Sequence, residues 1–186
     1  GEFQSQTQQY LNDNFGFRPL FVRAYNQMYY SFYSVSKAND IIVGKDNYLL
    51  GENYIKAHLG INYIGEKVIQ DKVYKLKKIQ DTLASRGIDL IVMLAPGKAS
   101  FYPEYIPDKF YELAIDSTNY RTYKKEMVTN HVNLLDFNKW FIEMKDTIEY
   151  PLFPRNGIHW SKYGQVIALD SLLSFLNVIR APEYFP

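Results

Sequence analysis

The chain contains no cysteine among its 186 residues. Disulfides, thiolate metal sites and cysteine nucleophiles are thereby excluded, while the redox compartment stays open, because an exported protein can simply lack the residue. Histidine is scarce: there are three, with no HxxxH pair and no grouping with carboxylates that would read as a metal site. No apolar run approaches the roughly 20 residues that span a bilayer, and no signal peptide is legible. Neither charge sign dominates, since 21 Lys and Arg face 20 Asp and Glu, and a net charge of +1 gives no field for capturing nucleic acid. Walker and dinucleotide glycine loops are missing as well, so no nucleotide cofactor is expected, nor any other. The first residue is Gly1 rather than methionine, which fits the scar of a cleaved tag and leaves room for a leader or membrane anchor ahead of Glu2.

What is abundant is aromatic surface: 17 Tyr and 12 Phe, suited to cores, interfaces and carbohydrate-facing clefts alike. With 47% hydrophobic and 22% charged residues, the chain reads as one domain over 1–186, with a helical lead-in at 1–37. The lead-in divides into two helices around Phe15, Gly16 and Pro19, and Leu20, Phe21, Ala24, Tyr25, Met28 and Phe32 recur at helical spacing, which predicts a core-facing stripe. "IIVGKDNYLLG" reads as a hairpin whose turn holds Asp46 and Asn47. Residues 65–86 form the clearest helix, with Ile69, Val73, Leu76 and Leu83 on one stripe and a solvated lysine face opposite. "IDLIVMLAP" is continuously apolar, as expected of a strand buried on both faces of a parallel sheet. Helix at 118–130, strand at 132–137, short helix at 139–145 and amphipathic helix at 164–179 repeat the alternation. The expected fold is therefore α/β, a three-layer α/β/α domain with a partly parallel sheet, whose ligands gather beyond the carboxyl ends of the strands.

Two loops leave strands at that edge, "APGKASFYPEY" and "PRNGIHWSKYG". The second offers His159, a general base by chemistry and a packed or surface histidine by default. No carboxylate stands just upstream to orient it; Asn156 can accept a hydrogen bond but carries no charge, and is equally a turn residue beside Gly157. Asp136 and Glu149 lie farther off in sequence, and Asp136 fits a backbone-bonding role at a strand end. Lys98, in the first loop, could bind an anionic sugar or stabilise developing charge, against the plainer reading of a solvated loop lysine. Ser100 lies next to it, in nothing resembling a nucleophile elbow, and no serine of the chain has a Gly-x-Ser setting. His58 and His131 stand isolated.

Taken in order, "FGFRPLFVRAYN", "IIVGKDNYLL", "GIDLIVMLAPGKASFYPEY", "VNLLDF" and "GIHWSKYGQVIALDSL" resemble the alginate O-acetyltransferase-like branch of the SGNH hydrolase superfamily. The resemblance runs through nearly the whole chain. It implies transfer of an acetyl group to a hydroxyl of an exported polysaccharide, or its hydrolytic removal, through a Ser-His-Asp arrangement in the periplasm or at the envelope. Partners would be the polysaccharide or an acetyl-donor protein. Carried over by position, His159 is the general base, Trp160 its packing neighbour, and Lys98 the loop lysine of a P-x-K-x-x-x-Y-P pattern. Two departures stand out. Gly157 occupies the aspartate position of the family's D-x-H-W motif, and no Gly-x-Ser segment follows, which implies the N-terminal portion of a longer domain, inactive alone. The alternative is a non-catalytic carbohydrate-binding or assembly module on the same scaffold, in which tyrosines and Trp160 would stack on sugars.

Overall fold

A computed structural model describes residues 2–184, with side chains through residue 178. The chain divides into two compact units, Gly1–Val43 and Gly44–Pro186. The first holds α1 (Glu2–Asn14), α2 (Arg18–Tyr33) and the short strand β1 (Ile41–Val43). Pro19 sits in the first turn of α2, where its missing N–H costs nothing, and Ser34 ends the helix in a left-handed conformation, donating to the Tyr29 and Tyr30 carbonyls. Neither helix buries a residue. The core-facing stripe predicted from Leu20 to Phe32 is therefore corrected: Leu20, Phe21, Tyr25, Met28 and Phe32 are all exposed. Periodicity fixes which face is apolar; within this unit no second layer covers it.

The second unit opens on a turn. Asp46 and Asn47 both take positive φ, a conformation that Asp and Asn tolerate better than most residues, and the Gly44 N–H donates to the Tyr48 carbonyl at 2.8 Å. Strand β2 (Leu49–Gly51) and helix α3 (Glu52–His58) follow. Helix α4 (Glu66–Ala84) delivers the chain to strand β3 (Val92–Leu94), and α6 (Asn119–Thr129) delivers it to strand β4 (Leu134–Asp136). Between them lie the one-turn helix α5 (Lys98–Phe101) and two 3-10 segments; α7 (Phe137–Met144) and α8 (Lys162–Tyr184) complete the unit. Strands β3 and β4 pair in parallel, Val92 with Leu134 and Leu94 with Asp136.

Alternation across that pair separates two cores. Val92 and Leu134 point into a cluster made by Ile69 and Val73 of α4 with Met127 and Val132. Leu135, one residue on, packs on the opposite side with Phe137 and Phe141 of α7, Phe153 of the loop that follows, and Ala168 of α8. Helices thus cover both faces, and the fold is α/β with the layers in the expected order. Strand β3 is shorter than the sequence suggests. Only three residues of "IDLIVMLAP" are strand, and Met93 is 49% exposed, so burial on both faces does not extend to it.

Because Phe141 is fully buried in the α7–α8 cluster, Phe141→Ala should cost about 3–5 kcal/mol in urea unfolding. Leu20→Ala, on the uncovered face of α2, should stay within about 0.5 kcal/mol of the parent in the same measurement.

Candidate active site

Beyond the carboxyl ends of β3 and β4 the surface is concave. A recess of about 210 Å³ is lined by Tyr54, Pro96, Gly97, Ser100, Asn138 and Trp160. A neighbouring one of about 160 Å³ shares Ser100, Tyr120 and Asn138 and adds His58, Thr118 and Arg121. This is the edge at which open α/β sheets place ligands. The wall between the end of α3 and the start of α6 closes tightly. Gly60 has φ of +75°, and a Cβ there would lie 2.2 Å from the Ser117 carbonyl oxygen. The Ile115 N–H donates to the Leu59 carbonyl across the same seam.

Lys98 begins α5, directly after the Pro96-Gly97 turn that leaves β3. It is 0% exposed. Its Nζ donates to the carbonyls of Pro154 at 2.7 Å, Arg155 at 2.9 Å and Gly157 at 2.8 Å, one for each N–H of an ammonium. The Tyr48 ring lies 5.2 Å away. Burial lowers the Lys98 pKa from the usual lysine range to about 8. The reading of a solvated loop lysine is corrected: Lys98 is buried, and its three N–H groups are taken by main-chain carbonyls.

The loop it holds carries His159. Ser161 N–H donates to the Leu152 carbonyl at 2.8 Å, closing the loop, and Ser161 Oγ accepts from the Gly164 N–H, capping α8. From the other side, Leu49 N–H donates to the Arg155 carbonyl at 3.0 Å, and the Arg155 guanidinium donates to the Asp46 carbonyl. Trp160 turns inward: its Nε1 donates to the Pro96 carbonyl at 3.2 Å and its ring packs 5.3 Å from that of Phe141. It also lines the larger recess. His159 remains exposed between these two anchors, and no hydrogen bond or ion pair joins it to another described residue. Asn156 is exposed too and makes no hydrogen bond to His159, so the orienting role open to it in the sequence is not made here.

Asp136 ends β4 and does more than bond backbone. One oxygen caps α7 by accepting from the Lys139 N–H; the other accepts from Tyr120 Oη at 2.8 Å and meets Lys124 Nζ at 2.6 Å. Burial by itself would raise its carboxyl, but the hydrogen bonds from Lys124, the Lys139 amide and Tyr120, with the Lys124 charge, hold it below the usual carboxylate value. His58, set aside in the sequence as isolated, lies in the wall of the smaller recess. Burial, and then the Arg121 charge, lower its pKa, which keeps the ring neutral near neutral pH. Nothing local in the sequence marks Tyr54, His58, Tyr120 and Arg121 as neighbours; they come together because α3 and the first turn of α6 meet at the carboxyl edge.

A parallel strand pair covered by helices on both faces, with a histidine loop and recesses at its carboxyl edge, defines an α/β unit of the ligand-binding kind. Residues 41–177 match the family described as SGNH hydrolase-like domain, acetyltransferase AlgX, and the chain belongs to that family. It is 23% identical over 132 residues to the probable alginate O-acetylase AlgJ of Pseudomonas putida, covering 71% of this chain and 32% of that protein. The solved O-acetyltransferase domain of Pseudomonas putida AlgJ superposes with a TM-score of 0.50 at 20% identity, over 71% of this chain and 48% of that domain, a likeness of fold. The chain thus spans less than half the length of either relative.

Asp136→Asn should cost about 1.5–3 kcal/mol near neutral pH, since it removes the charge from a hydrogen-bonded pair. A carboxyl with a depressed folded pKa adds stability above its unfolded value of about 3.9 and loses it as pH falls through the lower folded value, so the gap between parent and variant should close as acid unfolding is carried down through that range.

Proposed function

We propose that the full-length protein moves acetyl groups onto, or off, hydroxyls of an exported polysaccharide at the cell envelope. The observation that carries the reading is the exposed imidazole of His159, held on a braced loop beside a recess at the carboxyl edge of the parallel strands, in a chain of the AlgX family. In this scheme a serine from polypeptide beyond Pro186 attacks the acetyl carbonyl, and a ring nitrogen of His159 takes the hydroxyl proton. The departing group of the donor takes that proton back as the acetyl-serine forms. A sugar hydroxyl, or water, then attacks the ester, again giving its proton to His159, and the serine is restored. The recess lined by Tyr54 and Trp160 offers aromatic surface on which a sugar ring can rest.

A second reading has one observation behind it. Gly157 stands where the family motif has aspartate, and no carboxylate is bonded to His159 among the described residues. That favours a carbohydrate-binding or assembly module on the same scaffold. Among the described residues no helix is long and apolar enough to cross a membrane.

The full-length protein should release acetate from a chromogenic acetate ester and acetylate a polysaccharide acceptor, with His159→Ala lowering turnover roughly 1,000-fold or more. Glycan binding without turnover, indifferent to His159→Ala, would instead establish the module.

A further inference from the structure

We propose that Lys98 is a positioning residue for His159: its buried ammonium holds the loop carbonyls that precede the imidazole, and the loop is partly released when that ammonium becomes an amine. The inference rests on the catalytic reading of His159 for its functional meaning, but the structural coupling stands on its own geometry. Three carbonyls converge on one nitrogen from residues 154, 155 and 157, and Gly157 is two residues from His159. An ammonium supplies three N–H donors; an amine supplies two and a lone pair. Losing the proton leaves one carbonyl facing a lone pair in a site closed to water, so that carbonyl must turn away and carry the loop backbone with it.

Among the described residues no carboxylate forms an ion pair with Lys98. The Tyr48 ring of the turn lies over the ammonium, Tyr102 and Tyr105 pack against that ring, and Arg155 reaches Lys98 through its main-chain carbonyl. Carboxylates of the surrounding elements pair elsewhere, Glu104 with Lys145, Asp108 with Lys45, Glu52 of α3 with Lys56, Asp136 with Lys124 and Glu143 of α7 with Lys139, and Asp46, on the turn that carries Tyr48, makes no ion pair with Lys98. Burial without a counter-ion is what brings the proton loss down to about pH 8. The sign of the linkage separates loop release from unfolding. A lysine whose folded pKa lies below its unfolded value near 10.4 destabilises the fold while charged, so this group adds stability as pH rises through 8. The loop should loosen while the fold as a whole does not.

The test is NMR of the 186-residue chain between pH 6.5 and 9.5, following Lys98 Nζ and Cε, the amides of residues 155–160 and the His159 ring protons. The expected result is one shared midpoint near 8 for Lys98 and the loop, with no fall in urea stability across it. Lys98→Met should show the released loop signals at every pH, and Lys98→Arg, still cationic at pH 9.5, should lack the transition. If Lys98→Met does not fold, the parent titration decides alone. A Lys98 that titrates only above pH 10, or loop signals that stay flat while Lys98 titrates, would overturn the proposal. In the full-length protein, Lys98→Met should lower kcat roughly 100-fold with KM little changed, the cost of a misplaced base. Were His159→Ala to leave turnover intact, the catalytic reading would fail while the loop coupling survived.

Discussion

A positive charge sealed inside this protein, with no carboxylate partner among the described residues, constrains the loop at the edge of its sheet. Burying an ion is costly unless its hydrogen bonds are met, and Lys98 meets all of them with main-chain oxygens. Main-chain partners have a consequence that a carboxylate would not. A carboxylate can swing on its side chain, whereas three carbonyls from four consecutive residues can converge on one nitrogen only if the backbone takes a particular bend. The cation therefore shapes the loop and does more than neutralise something in it.

That bend is supported from several directions. Leu49 and Arg155 tie the loop to the β2 turn, Trp160 plugs it into the aromatic cluster of α7, and Ser161 passes it on to α8. Each tie comes from a different element, so the position of His159 depends on the packing of nearly the whole second unit. Under the proposed function that arrangement has a chemical meaning: a proton-accepting ring must be accurately placed relative to the hydroxyl it serves.

Much of the scaffold could be read from the sequence because local chemistry decides it. The stripe of Ile69 and Val73 set α4, Thr118 caps α6 through its own hydroxyl, and Asp46-Asn47 supplied the turn. The site was less legible. Lys98 and its acceptors are separated by more than fifty residues, and no spacing rule links them. A lysine after Pro-Gly looks like surface until the fold brings a loop over it. The reverse error occurred in α2, where an apolar stripe implied a cover that the unit does not provide. Asp136 shows the middle case: its strand-end position was legible and its cap foreseeable, while Tyr120 and Lys124 became its partners only through the packing of α6.

The seam at Gly60 acts as a gauge for the recess beside it. With no side chain on that residue, the backbones at 60 and 117 approach to a distance that any larger residue forbids, and His58 and Arg121 are drawn together on either side. A single methyl added there would wedge the walls apart and enlarge the opening without altering one atom that lines it. The calibre of this pocket is thus inherited from the main chain, so drift at a position that faces no ligand could retune what the pocket admits.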